Sequence, residues 1–366
     1  MHVCLYFSSL QGAGGAERMV IELGAAMRAR GFEVDFVSLD TPDAESFYPL
    51  PDGAPWHRIG PPGGLMNKFA RVAKLRNLLR ANRIDVLVGF VMGADKTIHA
   101  AAHLAGVGLI AAERNTPAIY RDRLSRPAQW LYWLLFRLCD RIAVQLPAYV
   151  EGYPRFLRAR IVCIPNPVRT AALRARPAGH SASPTILNVG RLHHQKGQDI
   201  LLSAFAIVAP EFPEWRLRIV GEGGERSILS ARARALGLAD RVDMPGQTSD
   251  VASEYAAAHI FAFPSRYEGF PNALAEAQAH GLPTIGLARC EGAAALIADQ
   301  RNGLLVADDD DTEAGFANAL RRLMADPTLR QRLGDADLEP IASHDPHDLM
   351  EQWASMLVAV SRPGSP

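Results

Sequence analysis

The sequence predicts an α/β protein made of two Rossmann-like units, each a parallel sheet flanked by helices, and three observations lead there. Its 366 residues exceed one ordinary α/β domain and suit two of roughly 150 to 200 residues. Short apolar runs alternate with helical stretches, the β-α-β pattern of a parallel sheet. That pattern stops in residues 166–184, which carry Pro167, Pro177 and Pro184, and then starts again.

In the first half the strands fall at 3–7, 33–39, 86–91, 109–112, 141–144 and 161–164, with a helix over 17–30 between the first two. The second half places strands at 185–189, 216–220, 242–244, 260–262, 284–286 and 303–306, with a helix over 198–208. A further helix is opened by Pro271 and Asn272 and ends near His280. There Gly281 suits the position after the helix, and Pro283 prevents continuation. The expected division is 1–168 and 169–346, with a last helix at about 347–366 packing back on the first unit. The halves share architecture without a sequence repeat.

Composition narrows the function classes. The chain is 48% hydrophobic and 21% charged, with a formal net charge of zero, so no basic excess points to nucleic acid. Cys4, Cys139, Cys163 and Cys290 are scattered and form no C-x-x-C pair, which suggests neither a disulfide framework nor a zinc site and fits a reducing cytoplasm. The apolar start, residues 2–10, runs into a glycine turn and reads as a strand rather than a signal peptide. The apolar cluster at 130–136, interrupted by Arg137, is far too short for a membrane span.

Three segments carry candidate chemistry. The turn Gln11, Gly12, Ala13, Gly14, Gly15, Ala16, Glu17 leads from strand to helix, and a helix N-terminus favours an anion. Gly12, Gly14 and a ribose-binding acid at Asp40 would make half of a dinucleotide fingerprint, but Glu17 stands where a third small residue belongs. The bland alternative is a tight turn with no ligand. The second segment, Asn188 to Gly197, brings Arg191 and Lys196 to the carboxyl end of a strand, where they can neutralise a diphosphate as a planar fork and a point charge. His193 and His194 lack a third ligand at metal spacing and read as loop residues. In the third, Ser265 to Glu276, Glu268 and Glu276 bracket a helix start beyond Gly269, Phe270, Pro271 and Asn272. Two glutamates there fit a general acid–base pair, although Glu276 alone would suit a solvated helix face.

Taken together, the E-x7-E spacing of Glu268 and Glu276, the segment from Gly190 to Lys196, and Gly14, Gly15, Ala16, Glu17, Arg18 near the start resemble the GT4 family of retaining glycosyltransferases. The G-E-G at Gly221, Glu222, Gly223 and the Pro165–Asn166 pair agree in position. The resemblance spans nearly the whole chain and implies the GT-B fold, two Rossmann-like domains facing each other across a cleft. It implies a nucleotide-diphosphate sugar, UDP- or GDP-linked, on the C-terminal domain and the acceptor mainly on the N-terminal one. Arg191 and Lys196 would hold the diphosphate in place of a metal, Glu276 the ribose and Glu268 the sugar hydroxyls. Amides around Phe270, Pro271 and Asn272 would meet sugar or phosphate, and Gly14 and Gly15 would let the first loop approach the diphosphate. The leaving phosphate itself would take the acceptor's proton, so no side-chain base and no metal cofactor is expected. The acidic run Asp308 to Asp311 precedes a helix starting near Thr312, where acids suit the dipole rather than a metal.

One departure concerns Glu113, Arg114, Asn115, Thr116 and Pro117, which lie where many relatives place a histidine; Glu113 or Arg114 is the candidate replacement. Similar E-R-N-x-P loops occur in relatives that build polyprenyl-linked oligosaccharides, pointing to a lipid-linked acceptor. Residues 65–83 interleave Lys68, Arg71, Lys74, Arg76, Arg80 and Arg83 with apolar positions, forming a basic helix. It suits either the domain core or an anionic membrane surface, and Trp130, Tyr132, Trp133 and Phe136 beside Arg137 and Arg141 favour peripheral contact with the inner face of the plasma membrane. The rival readings are an NAD-dependent oxidoreductase and a non-catalytic sugar-nucleotide-binding module.

Overall fold

A computed structural model describes residues 1–12, 14–61, 65–90, 96–168, 171–181, 183–307, 311–336 and 345–362. The chain divides into two compact units, one formed by Met1–Asn166 together with Pro346–Pro366 and the other by Pro167–Asp345.

In the first unit β1 (His2–Phe7), α1 (Gly15–Ala29), β2 (Glu33–Ser38) and β3 (Trp56–Arg58) are followed by α2 (Leu65–Ala81), β4 (Val86–Phe90), α3 (Thr97–Ala105) and β5 (Gly108–Ala112). Then come α4 (Ala118–Arg123), α5 (Arg126–Phe136), β6 (Arg141–Val144), α6 (Arg155–Arg158) and β7 (Ile161–Cys163). All pairings are parallel, in the order β3-β2-β1-β4-β5-β6-β7. Every residue of β4 is buried, the near-continuous apolar run of a strand covered on both faces. In α1 the inward side is Met19, Val20, Leu23 and Met27, which recur at helical spacing.

The second unit contains β8 (Thr185–Val189), α7 (Gln198–Val208), β9 (Arg216–Val220), α8 (Arg226–Ala235), β10 (Val242–Gly246), α9 (Val251–Ala257) and β11 (Ile260–Phe263). It continues through α10 (Asn272–Ala279), β12 (Thr284–Leu287), α11 (Glu291–Leu296), β13 (Gly303–Val306), α12 (Thr312–Ala325) and α13 (Pro327–Gly334). Its sheet is again parallel, in the order β10-β9-β8-β11-β12-β13. The last helix, α14 (Pro346–Val360), belongs to the first unit. Its Leu349, Trp353 and Leu357 lie a turn apart and join the core that contains Val3, Leu5, Val86 and Phe90.

Two features differ from the sequence expectation. Strand β3 carries only three half-buried residues, too short a signal to stand out from a loop. Strand β10 runs on to Gly246 through Pro245, which an edge position tolerates because no neighbour needs that N–H. Both sheets reverse strand order at one point, between β1 and β4 and between β8 and β11. The carboxyl edge at such a reversal is where open α/β sheets bind ligands.

Candidate active site

In the second unit the two strands that flank the reversal deliver the two motif loops. Beyond β8 the chain turns through Gly190, Arg191 and a single helical turn at His194–Lys196 before α7. His193 caps that turn, its Nδ1 accepting the Gln195 N–H at 3.2 Å. Gly197 has φ +67°, and a Cβ there would collide with the Pro264 carbonyl oxygen, so the turn packs directly on the other loop. Gly221 at the end of β9, with φ +145°, leaves no room for a Cβ beside the Gly190 carbonyl oxygen, which explains the first glycine of the G-E-G motif. Gly190 itself lies against the methylenes of Lys196.

The loops are also cross-linked by side chains. Lys196 Nζ donates to Glu268 Oε1 at 2.7 Å, and both groups are largely buried. Arg266 forks onto Asp199 at 2.8 and 2.7 Å and also donates to the His194 carbonyl at 2.7 Å. Burial alone would raise the Asp199 carboxyl, but the hydrogen bonds and charge of Arg266 hold it below the ordinary carboxylate range. Gln195 Nε2 donates to the Tyr267 carbonyl at 2.9 Å, and Asn188 Nδ2 to the Ala262 carbonyl at 2.9 Å. Buried Gln198 donates to the Arg191 carbonyl at 3.1 Å. The sequence reading gave Arg266, Asp199 and Gln198 no role; their signal was only that polar residues crowd two short loops.

Arg191 is exposed, and among the described residues its guanidinium carries no hydrogen bond or ion pair. It is therefore a fork ready to receive an anion beside the Lys196–Glu268 pair. Gly269, Phe270 and Pro271 lead into α10, whose first residue is Asn272, so a helix start sits at the end of the Glu268 loop. Glu276, half-buried on the second turn, accepts the Tyr255 hydroxyl at 3.1 Å. Cys290 lies near Glu268 and Lys196; burial and the Glu268 charge push its thiol up to about 12, which makes it an inert packing residue.

The first-unit candidates are placed differently. Gly14 caps α1 with φ −81°, and Glu17 folds back so that a Cβ on Gly12 or Gly14 would strike its carboxylate. Gly15 is the first residue of α1. Asp40 is no free ribose acid: it accepts Ser9 Oγ at 2.6 Å, the Leu10 N–H at 2.9 Å and Gln11 Nε2 at 3.0 Å, so its carboxylate holds the first loop in place. The dinucleotide reading fails there. Glu113 and Arg114 follow β5 and are both buried. Glu113 accepts the Tyr120 hydroxyl, and Arg114 Nη1 donates to Asn166 Oδ1 at 3.0 Å. The Arg114 guanidinium lies 5.0 Å from the Phe90 ring and 5.4 Å from that of Trp353. Burial brings it down to about 9 against the opposing Glu113 charge, and among the described residues its Nε and Nη2 have no hydrogen-bond partner.

Of the acidic run before α12, Asp308, Asp309 and Asp310 lie outside the described residues. Asp311 caps that helix by accepting the Ala314 N–H at 2.9 Å.

Two family models match along the chain. The one described as Glycosyltransferase Family 4 covers residues 13–172, and the one described as Glycosyl transferases group 1 covers residues 172–338. Two parallel Rossmann-like units, with the charged loops at the second sheet's reversal, thus define a glycosyltransferase of the GT-B class. Within that class the chain belongs to the GT4-type glycosyltransferases.

The chain is 27% identical over 357 residues to a glycosyltransferase of Haemophilus influenzae, covering 96% of this chain and 98% of that one. It is 25% identical over 361 residues to a Campylobacter jejuni α-1,4-N-acetyl-D-galactosaminyltransferase, whose name gives a diNAcBac-PP-undecaprenol-linked glycan as its acceptor (95% and 96% covered). Among solved structures, Anabaena HepE in complex with UDP and glucose superposes with a TM-score of 0.80 at 19% identity, covering 98% of this chain and 99% of that one.

Proposed function

We propose that this glycosyltransferase moves a hexose or N-acetylhexosamine from a UDP- or GDP-linked donor to a polyprenyl-diphosphate-linked or other glycan acceptor, with retention and without a metal, in bacterial surface-glycan synthesis. The observation that carries this reading is exposed Arg191 beside the Lys196–Glu268 pair at the carboxyl edge of β8 and β11. Named relatives support the acceptor class: the Campylobacter enzyme acts on an undecaprenol-linked glycan, and a Rhizobium meliloti relative is a lipopolysaccharide core biosynthesis enzyme. The structure of HepE with UDP and glucose supports the donor class.

Each residue then has a task. Arg191 and Lys196 stabilise the charge that grows on the diphosphate as the glycosidic C–O bond breaks. Glu268, already bonded to Lys196, accepts hydrogen bonds from the sugar hydroxyls, and the amides at the start of α10 meet sugar or phosphate. Glu276, steadied by Tyr255, takes the ribose hydroxyls. In the first unit, Gly14 and Gly15 let the loop approach the diphosphate, and Glu113 and Arg114 shape the acceptor side. The acceptor oxygen bonds to the anomeric carbon on the face the diphosphate leaves, and its proton passes to the leaving phosphate. The chain works in the cytoplasm, against the inner face of the membrane that carries the acceptor. Among the described residues no helix is long and apolar enough to cross a membrane.

The test is thermal stabilisation by UDP, GDP, ADP and NAD, with and without Mg²⁺. A nucleotide at about 100 times its dissociation constant stabilises by roughly 2.7 kcal/mol. UDP or GDP should give this without Mg²⁺, and Glu276→Ala and Arg191→Ala should abolish it. A response to NAD alone, or one requiring Mg²⁺, would sink the reading; an inverted anomer by NMR would remove retention.

A further inference from the structure

Helix α5 is apolar on two sides, and only one of them is covered. Trp133 and Phe136 are 4% and 1% exposed and pack on Tyr120 and Tyr153. On the outward side Trp130 and Leu134, one turn apart, remain 55% and 56% exposed, joined by exposed Leu131 and, just past the helix, Leu138. Phe156 of α6 stacks on Trp130 with ring centroids 6.4 Å apart and planes at 15°, so two separate elements build one apolar surface. A helix apolar all round is normally covered all round, and a contiguous exposed patch of this kind marks a docking surface.

The border of the patch carries one sign of charge. Between residues 126 and 160 the sequence has six arginines against two acids, Asp140 and Glu151. Asp140 is already held by Arg362 at 2.7 Å. Arg126 at the start of α5, Arg137 at its end and Arg155 at the start of α6 are all exposed, and among the described residues none of their side chains has a hydrogen bond or ion pair. A second copy related by a two-fold axis would set these arginines against their own images with almost no acid to match them. An anionic bilayer satisfies both features at once: aromatic and leucine side chains enter the headgroup boundary while arginines meet phosphates.

We propose that the α5–α6 surface docks on an anionic lipid bilayer. This deepens the lipid-linked-acceptor reading and rests on it. Of the two segments that the sequence offered for membrane contact, it favours the aromatic cluster over the basic helix. In α2, Leu75 and Leu79 are in the core, Lys74 Nζ donates to the Ile59 carbonyl at 3.3 Å, and Arg80 donates to the Leu104 carbonyl at 2.7 Å.

The experiment is co-sedimentation of the whole protein with vesicles of phosphatidylcholine alone and of equimolar phosphatidylcholine and phosphatidylglycerol, at low and high salt. Binding should need phosphatidylglycerol and weaken with salt. It should fall about tenfold in Trp130→Ser/Phe156→Ser and in Arg126→Gln/Arg137→Gln/Arg155→Gln, with thermal unfolding and stabilisation by UDP or GDP unchanged. The proposal is overturned if the wild type ignores anionic vesicles, if both variants bind as it does, or if the wild type is a dimer that the Trp130→Ser/Phe156→Ser change breaks. Loss of nucleotide stabilisation in the wild type with vesicle binding intact would instead overturn the functional reading and leave this surface standing.

Discussion

At the carboxyl edge of the second sheet, charged side chains are paired across loops with the Arg191 guanidinium left in solvent; beyond β5 of the first sheet, Glu113 and Arg114 are buried against aromatic rings. Lys196, Glu268, Arg266 and Asp199 bind two loops into one frame and leave Arg191 open. Arg114 instead lies beside the stacked Phe90 and Trp353 rings and holds Asn166, so a buried cation ties the end of the first stretch of the unit to the helix that completes it. The same topology thus serves two purposes. Loop chemistry, not strand order, decides which edge presents charge and which consumes it in packing.

Removing the aromatic lid should give the largest effect. Trp353→Ala empties a fully buried site that stacks on Phe90 at 6.2 Å, and we expect a loss of about 4 kcal/mol in urea unfolding. A loss below about 1 kcal/mol would mean that α14 is peripheral to the first core. Next is the open edge: Arg191→Ala should leave stability nearly unchanged and lower kcat by about a hundredfold, roughly 2.7 kcal/mol of transition-state stabilisation. An unchanged kcat with a raised KM would assign Arg191 to ground-state binding only.

The smallest effect tests a charge buried elsewhere in the first sheet. Asp35 is hydrogen-bonded to His2 and His57, each at 2.8 Å, with Glu33 3.6 Å from the other nitrogen of His2. Burial pushes the Asp35 carboxyl up, but the hydrogen bonds from His57 and His2 outweigh it, leaving it below the ordinary range. A depressed carboxyl stabilises the fold above its unfolded value, about 4, and that contribution is lost as pH falls through the folded value. Asp35→Asn should therefore cost about 1–2 kcal/mol at neutral pH and show a shallower loss in acid than the wild type. Parallel acid profiles for the two proteins would show that another group carries the dependence.

Most of this architecture was legible because buried parallel strands leave short apolar runs, as at 86–90 and 260–263, and because local chemistry marks helix ends. The prolines and glycine around α10, and the aspartate before α12, work over a few residues. The Arg191, Lys196, Glu268 and Glu276 pattern was legible as a family likeness, since spacing within a loop survives in the sequence. What could not be read was pairing at a distance. Lys196 and Glu268 are 72 residues apart, and nothing local says that one neutralises the other. Asp40 looked like a ribose acid until three donors from the first loop closed on it.

The sequence by itself determined the two α/β units, the loops that carry charge and the helix boundaries, because those depend on periodicity and near neighbours. Only the tertiary structure decided that Trp133 belongs to the core and Trp130 to the surface, and that Arg114 is packed while Arg191 is open. Those outcomes depend on which remote surfaces meet and exclude water, and burial of that kind is a property of the assembled fold rather than of any segment.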